Sequence, residues 1–210
     1  MESLLYSLED FSRWTSGQKD YSQIVLICDK NTRKHCQPLL SQHSVRVDHV
    51  IEMPLGEENK TIKTCLLLWA EMAEKGIDRN ALIVNLGGGM VTDLGAFVAA
   101  TYKRGVSFVN IPTTLLGMVD AAIGNKTGVN LGLAKNQIGT FSPAEKIVLD
   151  SNFLESLPEL ERLSGLGEVI KYGFIHSPLL LDKMDDSNID WNELIESCAQ
   201  IKLEIVSQDP

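Results

Sequence analysis

The sequence predicts an α/β fold over residues 1–150, built on a parallel sheet, with a helical region beginning after residue 150. Three observations carry this. "ALIVNL" (81–86) is a continuous apolar run, the pattern of a strand buried on both faces. It passes into three glycines (87–89) and a small-residue helix, "MVTDLGAFVAATYKRG", which Gly105 closes. "VSFVNIP" (106–112) is the next strand, ended by Pro112 because proline has no amide to give to a ladder. Strand, glycine turn, helix and strand within about thirty residues make a βαβ unit, and that unit implies a parallel sheet.

The other elements follow the same logic. "IVLIC" (24–28) is a β-branched run that ends in the polar turn "DKNT". "NKTIKTCLLLWAEMAEKG" (59–76) places Ile62, Cys65, Leu66, Trp69, Met72 and Ala73 at three- and four-residue steps. That spacing predicts an amphipathic helix, with Gly76 where it should stop. "KIVLD" (146–150) reads as one more strand. After Asp150 the pattern is helical only: "LGEVIKYGFI", then "DWNELIESCAQIKLEIVSQ". A domain boundary is therefore expected near 150, dividing residues 1–150 from 151–210. The last helix runs close to Pro210 without a natural stop, so the chain is expected to be part of a larger protein. No internal repeat or low-complexity tract occurs.

Composition narrows the function. A hydrophobic share of 44% and a charged share of 22% are those of an ordinary globular protein. The net charge of −9 argues against a nucleic-acid binder, which needs a basic face to neutralise phosphates. Between residues 100 and 150, however, five bases (Lys103, Arg104, Lys126, Lys135, Lys146) outnumber three acids (Asp120, Glu145, Asp150). A locally basic segment in an acidic chain suits a small anionic ligand, or is simply solvated surface. The four cysteines (Cys28, Cys36, Cys65, Cys198) show no CxxC spacing, and Cys28 and Cys65 read as buried free thiols in a reducing compartment. "MESLLYSLEDF" lacks the basic start of a signal peptide and carries acids at Glu2 and Glu9. No apolar stretch approaches the ~18 residues of a membrane span. A soluble, cytoplasmic protein is expected.

Three stretches carry candidate chemistry. In "NLGGGMVTD" (85–93), glycines between a buried strand and a helix start let backbone amides approach a diphosphate, where the helix adds a partial positive charge. The dinucleotide fingerprint G-x-G-x-x-G is absent, since read from Gly87 its third glycine falls at Thr92. Asp93, placed by this reading in the first turn of the helix, is open between dipole compensation and accepting a hydrogen bond from a ligand hydroxyl. The second stretch, "PTTLLGMVDAAIGNKTGVN" (112–130), follows a strand end, where ligand pockets open in parallel sheets. Gly124 breaks any helix between Asp120 and Lys126, so both are expected to project from irregular backbone toward a common cavity. An ordinary loop ion pair is the alternative. In the third, "GLGEVIKYG" (165–173), Glu168 and Lys171 share a helix face, either as a surface ion pair or as site residues beside unusually many glycines. No HxxxH or HExxH occurs, so the chain shows no local zinc site.

Taken in order, "GGGMVTDLGAF", "YKRG", "IPTTLLGMVDAAIGNKTGVN", "KNQIGTF" and "GLGEVIKYG" closely resemble 3-dehydroquinate synthase of the shikimate pathway, over most of residues 22–210. The resemblance implies a Rossmann-like NAD-binding sheet followed by the start of a helical metal- and substrate-binding domain. It implies conversion of 3-deoxy-D-arabino-heptulosonate 7-phosphate to 3-dehydroquinate and phosphate, with NAD transiently reduced and a metal, zinc or cobalt, acting as Lewis acid. "CDKNT" and "GEENK" look like contacts to the adenosine half of NAD, making Asp29, Asn31, Glu57 and Lys60 cofactor candidates. Gly88, Gly89, Met90, Val91, Thr92 and Asp93 would hold the diphosphate region, and Thr113 and Thr114 another part of the cofactor. Lys126 and Lys135 match lysines between cofactor and substrate, and Phe153, Leu154, Glu155 and Ser156 a further cofactor turn. Arg104, Asp120, Asn136, Lys171 and, in "IKLEIVSQDP", Lys202 match substrate positions, with Lys126 among them. Glu168 matches the carboxylate ligand of the metal. A homodimer is implied for the full-length chain, with a sugar phosphate as its small-molecule substrate and no nucleic-acid or membrane partner.

Two departures stand out. The family usually has two glycines before its lysine, whereas here Gly124 is followed by Asn125, and Thr92 replaces a common glycine. Family chains also continue into a region that holds two zinc-binding histidines, which this sequence does not match. Other readings are a related cyclase acting on another seven-carbon sugar phosphate, a metal-dependent alcohol dehydrogenase, and a nucleotide-binding module without catalysis.

Overall fold

The computed structural model describes residues 4–17, 21–185 and 189–208. Glu2 and Pro210 of the sequence reading lie outside the described residues. Six strands form one sheet in the order β1 (Leu4–Leu5), β8 (Lys146–Val148), β5 (Ser107–Pro112), β4 (Leu82–Gly87), β2 (Ile24–Asp29) and β3 (His49–Met53). Every neighbouring pair in it is parallel. β4 is buried along its whole length and β2 along all but Asp29. This is the burial that their continuous apolar runs predicted, and the α/β class is as expected.

The connections fix where a ligand can sit. α2 (Lys30–His35) and α3 (Gln37–Gln42) lead from β2 to β3 on one side, and α4 (Ile62–Glu74) returns the chain to β4 on the other side of β2. The chain thus reverses its direction of growth between β2 and β4, and a crevice opens there beyond their carboxyl ends. α4 ends where expected, with Gly76 at a φ of +69° that suits a residue without a side chain. α5 (Gly89–Thr101) connects β4 to β5, and Trp69 of α4 donates its indole N–H to the Val98 carbonyl, 3.1 Å away.

Between β5 and β8 the structure differs from the sequence reading. Gly117–Ala121 is a π-helical turn, and Lys126–Leu131 (β6) pairs antiparallel with Ala134–Phe141 (β7) as a separate hairpin. Asp120 and Lys126 therefore stand on regular backbone, not on an irregular loop. β7 is largely exposed and Gly-interrupted, so it lacks the apolar alternation that announces a strand. β1, α1 (Leu8–Gly17), α2, α3 and β3 were likewise not anticipated, and α1 packs Leu8 and Phe11 into the core. After β8 the elements are helical: a 3-10 segment Ser151–Ser156, α6 (Glu159–Ile175), α7 (Leu179–Asp185) and α8 (Trp191–Gln208). All four cysteines are buried free thiols. Among the described residues no helix is long and apolar enough to cross a membrane.

Candidate active site

A cavity of about 760 Å³ opens at the switch point, beyond the carboxyl ends of β2, β4 and β5. Asp29 and Asn31 line one end of it. Asp29 Oδ1 accepts from the amides of Asn31 and Thr32, both at 2.8 Å, which caps α2 and fixes the carboxylate at the rim. Gly88, Gly89, Met90, Val91 and Asp93 form the floor. Gly88 caps α5 with no side-chain bond; its carbonyl takes the Val91 and Thr92 amides, and the positive end of the helix at Gly89 and Met90 opens on the cavity. The glycines are needed for room: a Cβ on Gly88 would lie 3.0 Å from Thr114 Cγ2, and one on Gly89 3.2 Å from Ala121 Cβ. Asp93 stands a full turn inside α5, not in its first turn, so dipole compensation does not explain it.

Thr113, Thr114, Lys135, Phe153 and Ser156 also line the cavity wall, as do Glu57 and Lys60. Thr114 Oγ1 accepts from the Gly117 amide at 3.1 Å, which seats the π-helical turn under the cavity. Not every cofactor candidate reaches this wall. Thr92 is buried and bonds the Gly88 and Gly89 carbonyls through its hydroxyl, Leu154 is a core residue, and Glu155 points to solvent. None of these three lines the cavity. Conversely, His35, Cys36 and Glu161 line it without having been singled out. Burial pushes the Cys36 thiol up to about 11, although hydrogen bonds with Ser156 and Thr113 work against that rise.

A smaller cavity of about 310 Å³ lies alongside, walled by Asp93 and Asn136, which also line the larger one, and by Lys126 and residues of the β6–β7 hairpin. Lys126 is exposed, its ammonium 5.9 Å from the centre of the Phe141 ring. Asp93 is bound to the buried Lys60 ammonium at 2.6 Å. Burial raises the Asp93 carboxyl above its ordinary value, with the Glu57 and Asp120 charges adding to this and Lys60 opposing it without cancelling it.

Asp120 does not share that cavity with Lys126, as the sequence reading expected. Its Oδ1 accepts from Lys202 Nζ at 2.6 Å and from the Tyr172 hydroxyl at 2.9 Å. Burial would raise its pKa, but these two partners and the nearby Lys171 hold it below the ordinary carboxylate value. Burial, with the Asp120 charge and this contact adding to it, pushes the Tyr172 phenol up. Tyr172 escaped the sequence reading although it follows Lys171 in a quoted motif. Lys202 lies 82 residues from Asp120, so nothing local signals their pairing.

Glu168 and Lys171 pair with each other on α6. Among the described residues no group of three or more His, Cys, Asp or Glu comes together to hold a metal. Glu168 alone does not make a metal site. Arg104 is exposed and lines neither cavity. It follows Lys103, and both take left-handed backbone, at φ +69° and +48°. Two adjacent non-glycine residues in that region are a strained feature of the kind that accompanies functional sites.

Comparison with known proteins agrees with this arrangement. A family model described as "3-dehydroquinate synthase N-terminal" matches residues 50–164. A 3-dehydroquinate synthase of Parabacteroides distasonis is 38% identical over 197 residues, which cover 90% of this chain and 56% of the relative. The chain thus spans little more than half the length of that relative. Among solved structures, a 2-deoxy-scyllo-inosose synthase with carbaglucose-6-phosphate, NAD+ and Co2+ superposes with a TM-score of 0.81. It is 21% identical and covers 98% of this chain and 60% of its own, a likeness of fold. A 2-epi-5-epi-valiolone synthase from Streptomyces hygroscopicus with NAD+ and Zn2+ has a TM-score of 0.76 at 26% identity, covering 99% of this chain and 59% of its own.

Proposed function

The chain belongs to the 3-dehydroquinate synthase family, and from that premise we propose that it carries the NAD-binding part and much of the substrate site of an enzyme that closes 3-deoxy-D-arabino-heptulosonate 7-phosphate to 3-dehydroquinate with loss of phosphate. The observation that carries this reading is the pair of adjoining cavities sharing Asp93 and Asn136. A dinucleotide and a sugar phosphate need neighbouring sites with a common wall.

The residues present fit NAD. An acidic rim at Asp29 suits ribose hydroxyls, and the uncapped start of α5 beside Gly88 and Gly89 suits a diphosphate. When bound, NAD would take a hydride from the substrate and return it, so that no net oxidation results. Lys126 and Lys135 would counter anionic groups at the mouths of the two cavities. Asp120 lines neither cavity; with its carboxyl held below the ordinary value by Lys202 and Tyr172, it is suited to fix the Lys202 ammonium in place and not to act as an acid. Of the described residues, Glu168 is the one candidate metal ligand that the resemblance supplies, too few for a metal site. We further propose a cytoplasmic location, which four buried free thiols support.

Calorimetry on the NAD-loaded chain tests the substrate. 3-Deoxy-D-arabino-heptulosonate 7-phosphate should bind more tightly than its dephosphorylated form and than other seven-carbon sugar phosphates. Preference for another phosphorylated heptose would move the assignment to a related cyclase. With NAD and zinc added, the 210 residues on their own are expected to form no dehydroquinate, because the described residues offer no metal cluster. Turnover would contradict that.

A further inference from the structure

Lys60 has a part that a cofactor contact does not explain. Its side chain is 4% exposed, and the ammonium donates to Asp93 Oδ2 at 2.6 Å and to Asn136 Oδ1 at 2.7 Å. Those two acceptors line both cavities, whereas Lys60 itself lines only the larger. The backbone around it is tied to the hairpin as well. The Lys60 carbonyl accepts from the Asn130 amide at 2.8 Å. The Asn130 side chain accepts from the Asn136 amide at 2.8 Å and donates to Glu57 Oε1 at 2.9 Å. Asn136 has a φ of +52°, a left-handed conformation that needs such local support. With two of its three N–H groups committed, a buried ammonium acts as a fixed post between α5 and β7.

We propose that Lys60 is a positioning residue for the smaller cavity as well as a wall of the larger one, acting through Asp93 and Asn136. This rests on the reading in which the larger cavity holds NAD and the smaller an anionic ligand. Without Lys60, Asp93 is left without its counter-charge and Asn136 without its donor, so the common wall loses its shape on both sides. A lysine that only touched NAD would affect the larger cavity alone.

The test is calorimetry of the chain with inorganic phosphate as the probe, at saturating NAD so that phosphate reports the smaller cavity. Wild type should bind phosphate, and Lys126→Ala should abolish that binding. Lys60→Met is expected to weaken both NAD and phosphate, the latter by about tenfold or more, the usual consequence of losing a charged hydrogen-bond partner. Asp29→Asn, at the rim of the larger cavity only, should weaken NAD and leave phosphate within about twofold. If Lys60→Met fails to fold because it strands a buried carboxylate, Lys60→Met with Asp93→Asn removes both charges, and it should bind phosphate about tenfold more weakly than Asp93→Asn alone. Phosphate affinity of the Lys60 variants within about twofold of wild type, or no phosphate binding by wild type, overturns the proposal while leaving the NAD site standing. Failure of wild type to bind NAD is a separate result, which removes the cofactor reading and this inference with it.

Discussion

Asp120 shows how a single side chain can be set for one role. Its carboxylate is less than a third exposed and has two fixed donors, Lys202 and Tyr172. Because its folded pKa lies below the ordinary 3.8, the ion pair adds stability above that value and loses it as pH falls further. Lys202→Met should therefore destabilise the chain by about 1–3 kcal/mol at pH 7, and the gap should narrow below pH 3.8. Urea unfolding from about pH 2.5 to about pH 7 measures it, and a gap independent of pH would refute the assignment. Lys171 is a contrast, being half-exposed and bonded to Glu168 one turn away. Lys171→Ala should shift stability by less than about 0.5 kcal/mol, so any large loss of ligand binding would report function and not folding. The sequence made Asp120, Lys171 and Lys202 candidates through quoted motifs. Their partnership was invisible, since Asp120 and Lys202 meet only through the packing of α8 against the π-helical turn.

At the scale of elements, legibility followed hydrophobic pattern. β2, β4, α4 and α5 were readable because burial leaves continuous or periodic apolar runs. The β6–β7 hairpin was not, because its stability rests on close backbone approach and on Thr127 and Thr140, whose hydroxyls lie 2.8 Å apart. One cue was present: Gly132 at φ +61° in the turn, between the two strands. Gly139 faces Gly128 across the hairpin, and a Cβ there would overlap the Thr127 carbonyl oxygen. Gly139→Ala should cost about 2 kcal/mol or more. Because the hairpin walls the smaller cavity, the same change should lower phosphate affinity more than NAD affinity. Hydrogen exchange across Lys126–Phe141 would reveal it, and unchanged protection there would count against the hairpin's tight register.

For the whole molecule, the parallel sheet places two cavities at its carboxyl edge, and the later helices bring Tyr172 and Lys202 up to the π-helical turn beneath them. We propose the boundary near residue 150 as a change of layout, from sheet to helices, not as a break in cooperativity. The Gln200 side-chain amide donates to the Tyr6 hydroxyl at 3.1 Å, and Lys202 Nζ donates to Asp120 Oδ1 at 2.6 Å, both across that boundary. One unfolding transition is accordingly expected by both fluorescence and far-UV circular dichroism, and two separated transitions would divide the chain at that boundary. The most direct measurement of the central claim is calorimetric titration of the chain with NAD. One NAD should bind per chain, and Gly88→Val, whose side chain would crowd Thr114 at the cavity floor, should weaken it by about tenfold or more without unfolding the protein. A folded chain that takes up no NAD, or a Gly88→Val variant that binds it as well as wild type, would contradict the account.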